Sequence, residues 1–192
     1  MALFLNNSLS VTYNIFVEKK LSELNKIKLF VALGVVLTFG LGAISHFIYQ
    51  WSGKNVIAGL LFATNESIWE HIKLALLPMF VIFIIGGFLF AKKVNNYFFA
   101  VFCCLVVTIN FVVFSFLGYT IYTRKSIMPF DITIFALSII LGFLTAYRIF
   151  FLQKFKYLNV VGLIGIIGIA IAFFTCTYHA PQIFLFKELY VF

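Results

Sequence analysis

Charge is what this sequence has least of. Asp, Glu, Lys and Arg make up 10% of its 192 residues, where a soluble domain carries about 25%. A water-soluble globule of this size cannot cover itself with so few charges. A bilayer removes the need, because hydrocarbon is then the solvent. Cysteine is scarce as well. Cys103, Cys104 and Cys176 show no metal-ligand spacing, and Cys103 and Cys104 are neighbours inside an apolar run. They read as small core or lipid-facing residues, with no disulfide framework. The opening MALFLNNSLSVTYNIF lacks a basic stretch and an A-x-A site, so it is not expected to be a signal peptide. No soluble domain, repeat or low-complexity linker interrupts the chain.

What is present is apolar. Hydrophobic residues reach 64%, with 27 Phe among them, and the mean hydropathy is +1.11. Apolar runs lie near 29–49, 74–91, 97–122, 129–147 and 157–177. Each is long enough to span ~30 Å of hydrocarbon at ~1.5 Å per residue. The second is short, and its helix is expected to begin earlier, near Asn65, with a kink at Pro78. The expected fold is therefore all-α: a polytopic transmembrane bundle of about five spans plus an N-terminal interfacial helix. Residues 1–28 read as a cytoplasmic amphipathic segment and 29–192 as a single transmembrane domain. Gly162, Gly165 and Gly168 in the last run permit close helix contact, and Asn110, in the middle of the third, reads as helix–helix glue or as part of a substrate path.

The net charge of +8 suggests nucleic acid in a soluble protein, but loop lysines of a membrane protein explain it without a nucleic-acid partner. With the N-terminus inside, the inner segments hold Lys19, Lys20, Lys26, Lys28, Lys92, Lys93, Arg148, Lys154 and Lys156. The outer ones hold Lys54, Lys73, Arg124, Lys125 and Lys187. Nine against five favours a multi-pass protein of the cell membrane with its N-terminus cytoplasmic and its C-terminus outside. Beyond the N-terminal segment, the acids Glu66, Glu70, Asp131 and Glu188 then all fall outside, as do His46, His71 and His179.

The densest polar motif is Asn65-Glu66-Ser67-Ile68-Trp69-Glu70-His71. On a helix, about 100° per residue puts Glu66, Glu70, Ser67 and His71 on one arc. Lys73 joins that arc and is placed to neutralise one carboxylate. The conventional reading is a capped helix start with a Trp in the interfacial belt. The chemical reading takes the whole outer face together. Zinc accepts His and carboxylate ligands, so His46, His71 and His179 form a candidate three-histidine set. Glu66 or Glu70 then serves as general base and Asp131 as the residue that orients a ligand. The spacing matches neither H-E-x-x-H nor the di-iron pattern.

Ser45-His46-Phe47-Ile48-Tyr49-Gln50-Trp51-Ser52-Gly53 and Asn65-Glu66-Ser67-Ile68-Trp69-Glu70-His71 resemble a family of small bacterial multi-span proteins of unknown function that carries an N-E-S-x-W-E-H motif. Asp131-Ile132-Thr133-Ile134-Phe135 and the stretch from His179 to Phe186 are similar to its later motifs, except that the family has a Pro where Phe184 stands. The resemblance implies a membrane protein and no activity. A second resemblance, of Ser67-x-x-x-His71, Asp131 and His179 to the alkaline ceramidase and adiponectin receptor superfamily, implies a zinc-dependent membrane hydrolase with Ser67 in its site. This chain has fewer spans and lacks the closing H-x-x-x-H.

Three functions follow as expectations. The first is a zinc-dependent hydrolase acting on a lipid or other amphiphile at the outer membrane boundary. The second is a small-solute or cation transporter, or its substrate-binding subunit, in which the carboxylates bind the cation. The third is a non-catalytic interaction or immunity factor.

Overall fold

A computed structural model describes residues 2–155 and 157–186, with side chains from Asn14 onward except Tyr178 and Phe184. Lys156, Lys187 and Glu188 lie outside the described residues, as do the side chains of Leu3, Phe4, Leu5 and Val11. The chain folds into α1 (Ala2–Trp51), α2 (Val56–Leu61), α3 (Ile68–Phe90), α4 (Tyr97–Thr123), α5 (Met128–Phe150) and α6 (Leu158–Tyr178), then a 3₁₀ turn at Phe184–Phe186. All but α2 are long and apolar enough to cross a membrane. The N-terminal segment is not a separate helix, because α1 continues without a break through Lys28 into the first span.

The bundle has two distinct ends. At one, Lys93 bonds Glu23 of α1 at 2.9 Å. The Asn96 amide there donates to the Gln153 carbonyl at 2.9 Å and its oxygen accepts from the Phe155 amide at 3.2 Å. Asn96 tolerates the left-handed backbone this turn needs (φ 50°). Lys92, Lys93, Arg148 and Lys154 crowd this basic end. The opposite end carries the close of α1, the starts of α3 and α5, and the close of α6.

Between the ends, small residues set the spacing. α4 packs on α3, α5 and α6, while α1 packs on α3 and α5. Pro78 lies buried inside α3 and has no N–H, so the Leu74 carbonyl loses its helical donor. That carbonyl faces Gly42 of α1, where an added Cβ would stand 2.8 Å from its oxygen. Between α4 and α5, the Thr108 hydroxyl donates to the Ser138 carbonyl at 3.2 Å. The Tyr97 hydroxyl donates to the Phe83 carbonyl at 2.6 Å, and its ring stacks on Phe150 with centroids 5.5 Å apart. No water competes for these bonds in hydrocarbon. Asn110 departs from expectation. Its amide donates to Val106 of its own helix at 2.7 Å on an exposed face, so it joins no neighbouring helix. One turn of its own backbone supplies the acceptor.

Gly162 and Gly165 let α6 touch α4: a Cβ at Gly162 would overlap the Phe98 and Phe99 backbone, and one at Gly165 the Phe102 ring. Gly168 has nothing within 4 Å and does not share this role. Gly162→Val should therefore destabilise the bundle by about 1–3 kcal/mol through overpacking, while Gly168→Val should be near neutral. Thermal unfolding of the two variants in one detergent checks the contrast.

Candidate functional site

α1 ends at Trp51 and the chain turns through Gly53 and Lys54, both left-handed (φ 68° and 61°). Asn55 caps α2, its side-chain oxygen accepting from the Ile57 amide at 2.9 Å. Residues 62–67 then run non-helically into α3. The predicted helix start near Asn65 is corrected here to Ile68. The Asn65 side chain accepts from the Ser67 amide at 2.9 Å, which holds the backbone in an Asx turn. Ser67 is the cap instead, its hydroxyl accepting from the Glu70 amide at 3.3 Å. Glu66 and Ser67 thus precede the helix, and the single polar arc expected for the motif dissolves. Its two carboxylates point to different partners.

Glu70 turns inward. One of its oxygens accepts from the Thr64 amide at 2.8 Å, the Thr64 hydroxyl at 3.3 Å and the Lys73 ammonium at 2.9 Å. Lys73 also donates to the Gly59 carbonyl at 3.0 Å. The Lys73 side chain is 0% exposed and that of Glu70 6%. A buried charge without a partner costs several kcal/mol, so the two groups hold each other in place. Because Gly59 belongs to α2 and Thr64 to the following loop, this pair fastens the segment that carries Glu66.

Glu66 turns the other way, to two histidines. His46 Nε2 of α1 lies 3.5 Å from Glu66 Oε1, and His71 Nε2 of α3 lies 3.4 Å from Oε2. The imidazole centroids are 5.8 Å apart. The Glu66 side chain is 42% exposed, His46 33% and His71 23%. The cluster is thus open to small solutes without being freely solvated.

The hydrogens on these rings follow from their other contacts. His71 Nδ1 is 2.9 Å from the Ser67 carbonyl. A carbonyl only accepts, so Nδ1 carries the hydrogen. In a neutral ring that leaves a lone pair on Nε2, facing a carboxylate oxygen that also offers only lone pairs. One additional proton, on His71 or on Glu66, turns this repulsion into attraction. His46 differs. Its Nδ1 is buried with no partner, and an orphaned acceptor is tolerated better than an orphaned donor. Nε2 of His46 therefore carries the hydrogen and points it at Glu66.

The remaining predicted site residues lie apart from this cluster. Ser67 is 1% exposed and its hydroxyl is occupied as a helix cap. Asp131 accepts from the Tyr119 hydroxyl and from the Ser126 hydroxyl at 2.5 Å, closing the α4–α5 connection. Only aromatic rings link it to the histidines: Phe116 stands 6.1 Å from His71 and 5.2 Å from Tyr119. His179 terminates α6, is exposed, and its amide bonds the Thr175 carbonyl at 2.9 Å. No ion pair or ring contact joins it to His46 or His71. Among the described residues no group of three or more His, Cys, Asp or Glu is placed to hold a metal ion.

Residue spacing did not reveal Thr64 and Gly59 as anchors of the buried pair. Nothing in the sequence marks a backbone carbonyl as the partner of a distant lysine. The roles of Tyr119 and Ser126 were also missed, although Ser126 before Pro129 and Asp131 is a helix-start signal.

No curated protein and no solved structure matches this chain. A family profile does, over residues 19–190, and so takes in all of the candidate site residues described above. The chain belongs to that family, DUF6512, a family of unknown function.

Proposed function

We propose that the protein is a proton-linked carrier of a small cation, or the binding subunit of one, with Glu66 between His46 and His71 as its ion site. The observation that carries this reading is the His71 ring. Its Nδ1 hydrogen is committed to Ser67, so Nε2 and Glu66 together require one further positive charge. A proton supplies it. When that proton leaves, one negative charge remains in a half-exposed cluster built from two membrane helices. A cationic solute can then take the proton's place, and competition for the same carboxylate is the physical basis of exchange.

We further propose that the protein sits in a bacterial cell membrane with its N-terminus inside, which puts the site at the outer boundary. The lysine and arginine asymmetry supports this orientation. Lys73, counted on the outer side by sequence, is neutralised by Glu70 inside the bundle, which widens the margin.

A zinc-dependent hydrolase of lipids or amphiphiles is the second reading. Two imidazoles and a carboxylate are zinc-type donors, and His46 and His71 both face Glu66, each toward a different one of its oxygens. This reading requires a further protein ligand drawn in from elsewhere, for which His179 is the candidate. Elemental analysis of purified protein separates the two readings: the carrier should hold zinc far below one equivalent, and the hydrolase one equivalent that His71→Ala removes.

In proteoliposomes with an acidic lumen, external cations (sodium, potassium, calcium and choline in turn) should drive lumenal alkalinisation read by a pH dye. Glu66→Gln should reduce that flux at least tenfold. Imidazole ¹⁵N spectra should show the His71 hydrogen on Nδ1 and the His46 hydrogen on Nε2. Cation-insensitive vesicles would sink the carrier.

Glu70 serves as scaffold in this reading. Lys73→Met should cost about 3–5 kcal/mol by stranding a buried carboxylate, and adding Glu70→Gln to it should recover much of the loss. Denaturation of the single and double variants in detergent measures this. A Lys73→Met protein as stable as the wild type would show that the pair does not hold the loop.

A further inference from the structure

The exposed flank of the bundle between α1 and α5 carries a second candidate site, at the basic end, far from Glu66. A cleft of about 490 Å³ opens there, with Ala32 and Val35 of α1 and Ile140 and Leu144 of α5 as its apolar walls and Lys28 and Tyr147 at its mouth. Val35 lies seven residues beyond Lys28 and Tyr147 seven beyond Ile140, so the cleft runs about 10 Å along the helices. That is roughly a third of the hydrocarbon thickness.

Its chemistry divides along its length. The walls offer nothing that accepts or donates a hydrogen bond. The mouth offers a cation and a phenol. Lys28 makes no ion pair among the described residues, whereas Lys26 and Lys93 both bond Glu23. The Tyr147 ring packs edge-on against Phe151, with centroids 5.1 Å apart, and its hydroxyl has no hydrogen-bond partner among the described residues. No acidic side chain lines the cleft. Arg148, next in sequence to Tyr147, adds exposed positive charge at the same level. An occupant must therefore be apolar along its length, anionic at its head and able to accept a hydrogen bond there.

We infer that this cleft is a binding site for one anionic phospholipid. An acyl chain lies between α1 and α5, its phosphate accepts from Lys28 and from the Tyr147 hydroxyl, and the net negative headgroup sits among the basic side chains. Charge complementarity at the mouth selects an anionic headgroup over a zwitterionic one, whose own cation meets Lys28 and Arg148 unfavourably. The apolar walls distinguish this seat from the general attraction of any basic surface to anionic lipid.

Native mass spectrometry of the full chain from mixed micelles, with phosphatidylglycerol and phosphatidylcholine in equal amounts, tests it. The wild type should retain one phosphatidylglycerol in preference to phosphatidylcholine by at least fivefold. Lys28→Glu should abolish the preference, and Ala32→Trp, which fills the cleft from an exposed position, should remove the retained lipid. Lys92→Glu changes charge at the same end outside the cleft and should leave retention unaltered. Both lysines are exposed, so these variants should fold, and their melting temperatures in phosphatidylcholine micelles confirm it. Equal retention of the two lipids by the wild type overturns the inference. So does a Lys92→Glu protein that behaves like Lys28→Glu, since that result assigns the effect to surface charge alone.

Discussion

The buried pair of Glu70 and Lys73 is the interaction on which the polar end of the bundle depends. Lys73 stands on α3 with its side chain fully buried, where the Glu70 carboxylate neutralises it and the Gly59 carbonyl accepts a further bond. By drawing in Gly59 of α2 and, through Glu70, Thr64 of the next loop, it shapes the backbone between α1 and α3. Glu66 follows Thr64 by two residues, and the direction in which it leaves the loop is set by that anchorage. Had both carboxylates continued one helical arc, their mutual repulsion would have placed two charges near the same histidines. The fold separates them, one neutral by pairing and one left for chemistry.

The consequence for the two histidines is asymmetric, and the asymmetry comes from backbone geometry. His71 follows Ser67 by four residues at a helix start, where the last non-helical carbonyl is within reach of an imidazole. His46 lies within α1, and its buried Nδ1 finds no partner there. Two chemically identical rings thus present opposite faces to one carboxylate, a donor from His46 and an acceptor from His71. A site of that composition is incomplete without one added positive charge.

Much of this was legible in the sequence. The five long helices follow from hydropathy, because lipid admits few other ways of satisfying a backbone. The convergence of His46, Glu66 and His71 follows from alternating spans. The finer features were hidden where a contact depends on direction. The motif read as continuous helix, since nothing in the run from Asn65 to His71 forbids one. Asn65 and Ser67 win by offering the backbone local bonds before the helix begins. Asp131 carried the right chemistry for a metal ligand's partner, yet Ser126 and Tyr119 reach it first. Asn110 sits at mid-span, but at 100° per residue a small change in helix rotation decides whether it meets a neighbour or its own backbone.

Helix α1 links the two ends of the molecule. His46 and Lys28 lie eighteen residues apart on it, about 27 Å along one unbroken helix, and both face partners outside α1. A shift of this helix relative to α3 changes the distance from His46 to Glu66, while the same shift relative to α5 opens or narrows the cleft beside Lys28. Gly42 and Gly34 lie between, each so close to its neighbour that a Cβ there would meet the Phe135 ring or the Phe143 ring. Such contacts leave no room for a side chain, so the two glycines let α1 lie close against α5 and thereby set where both of its ends stand.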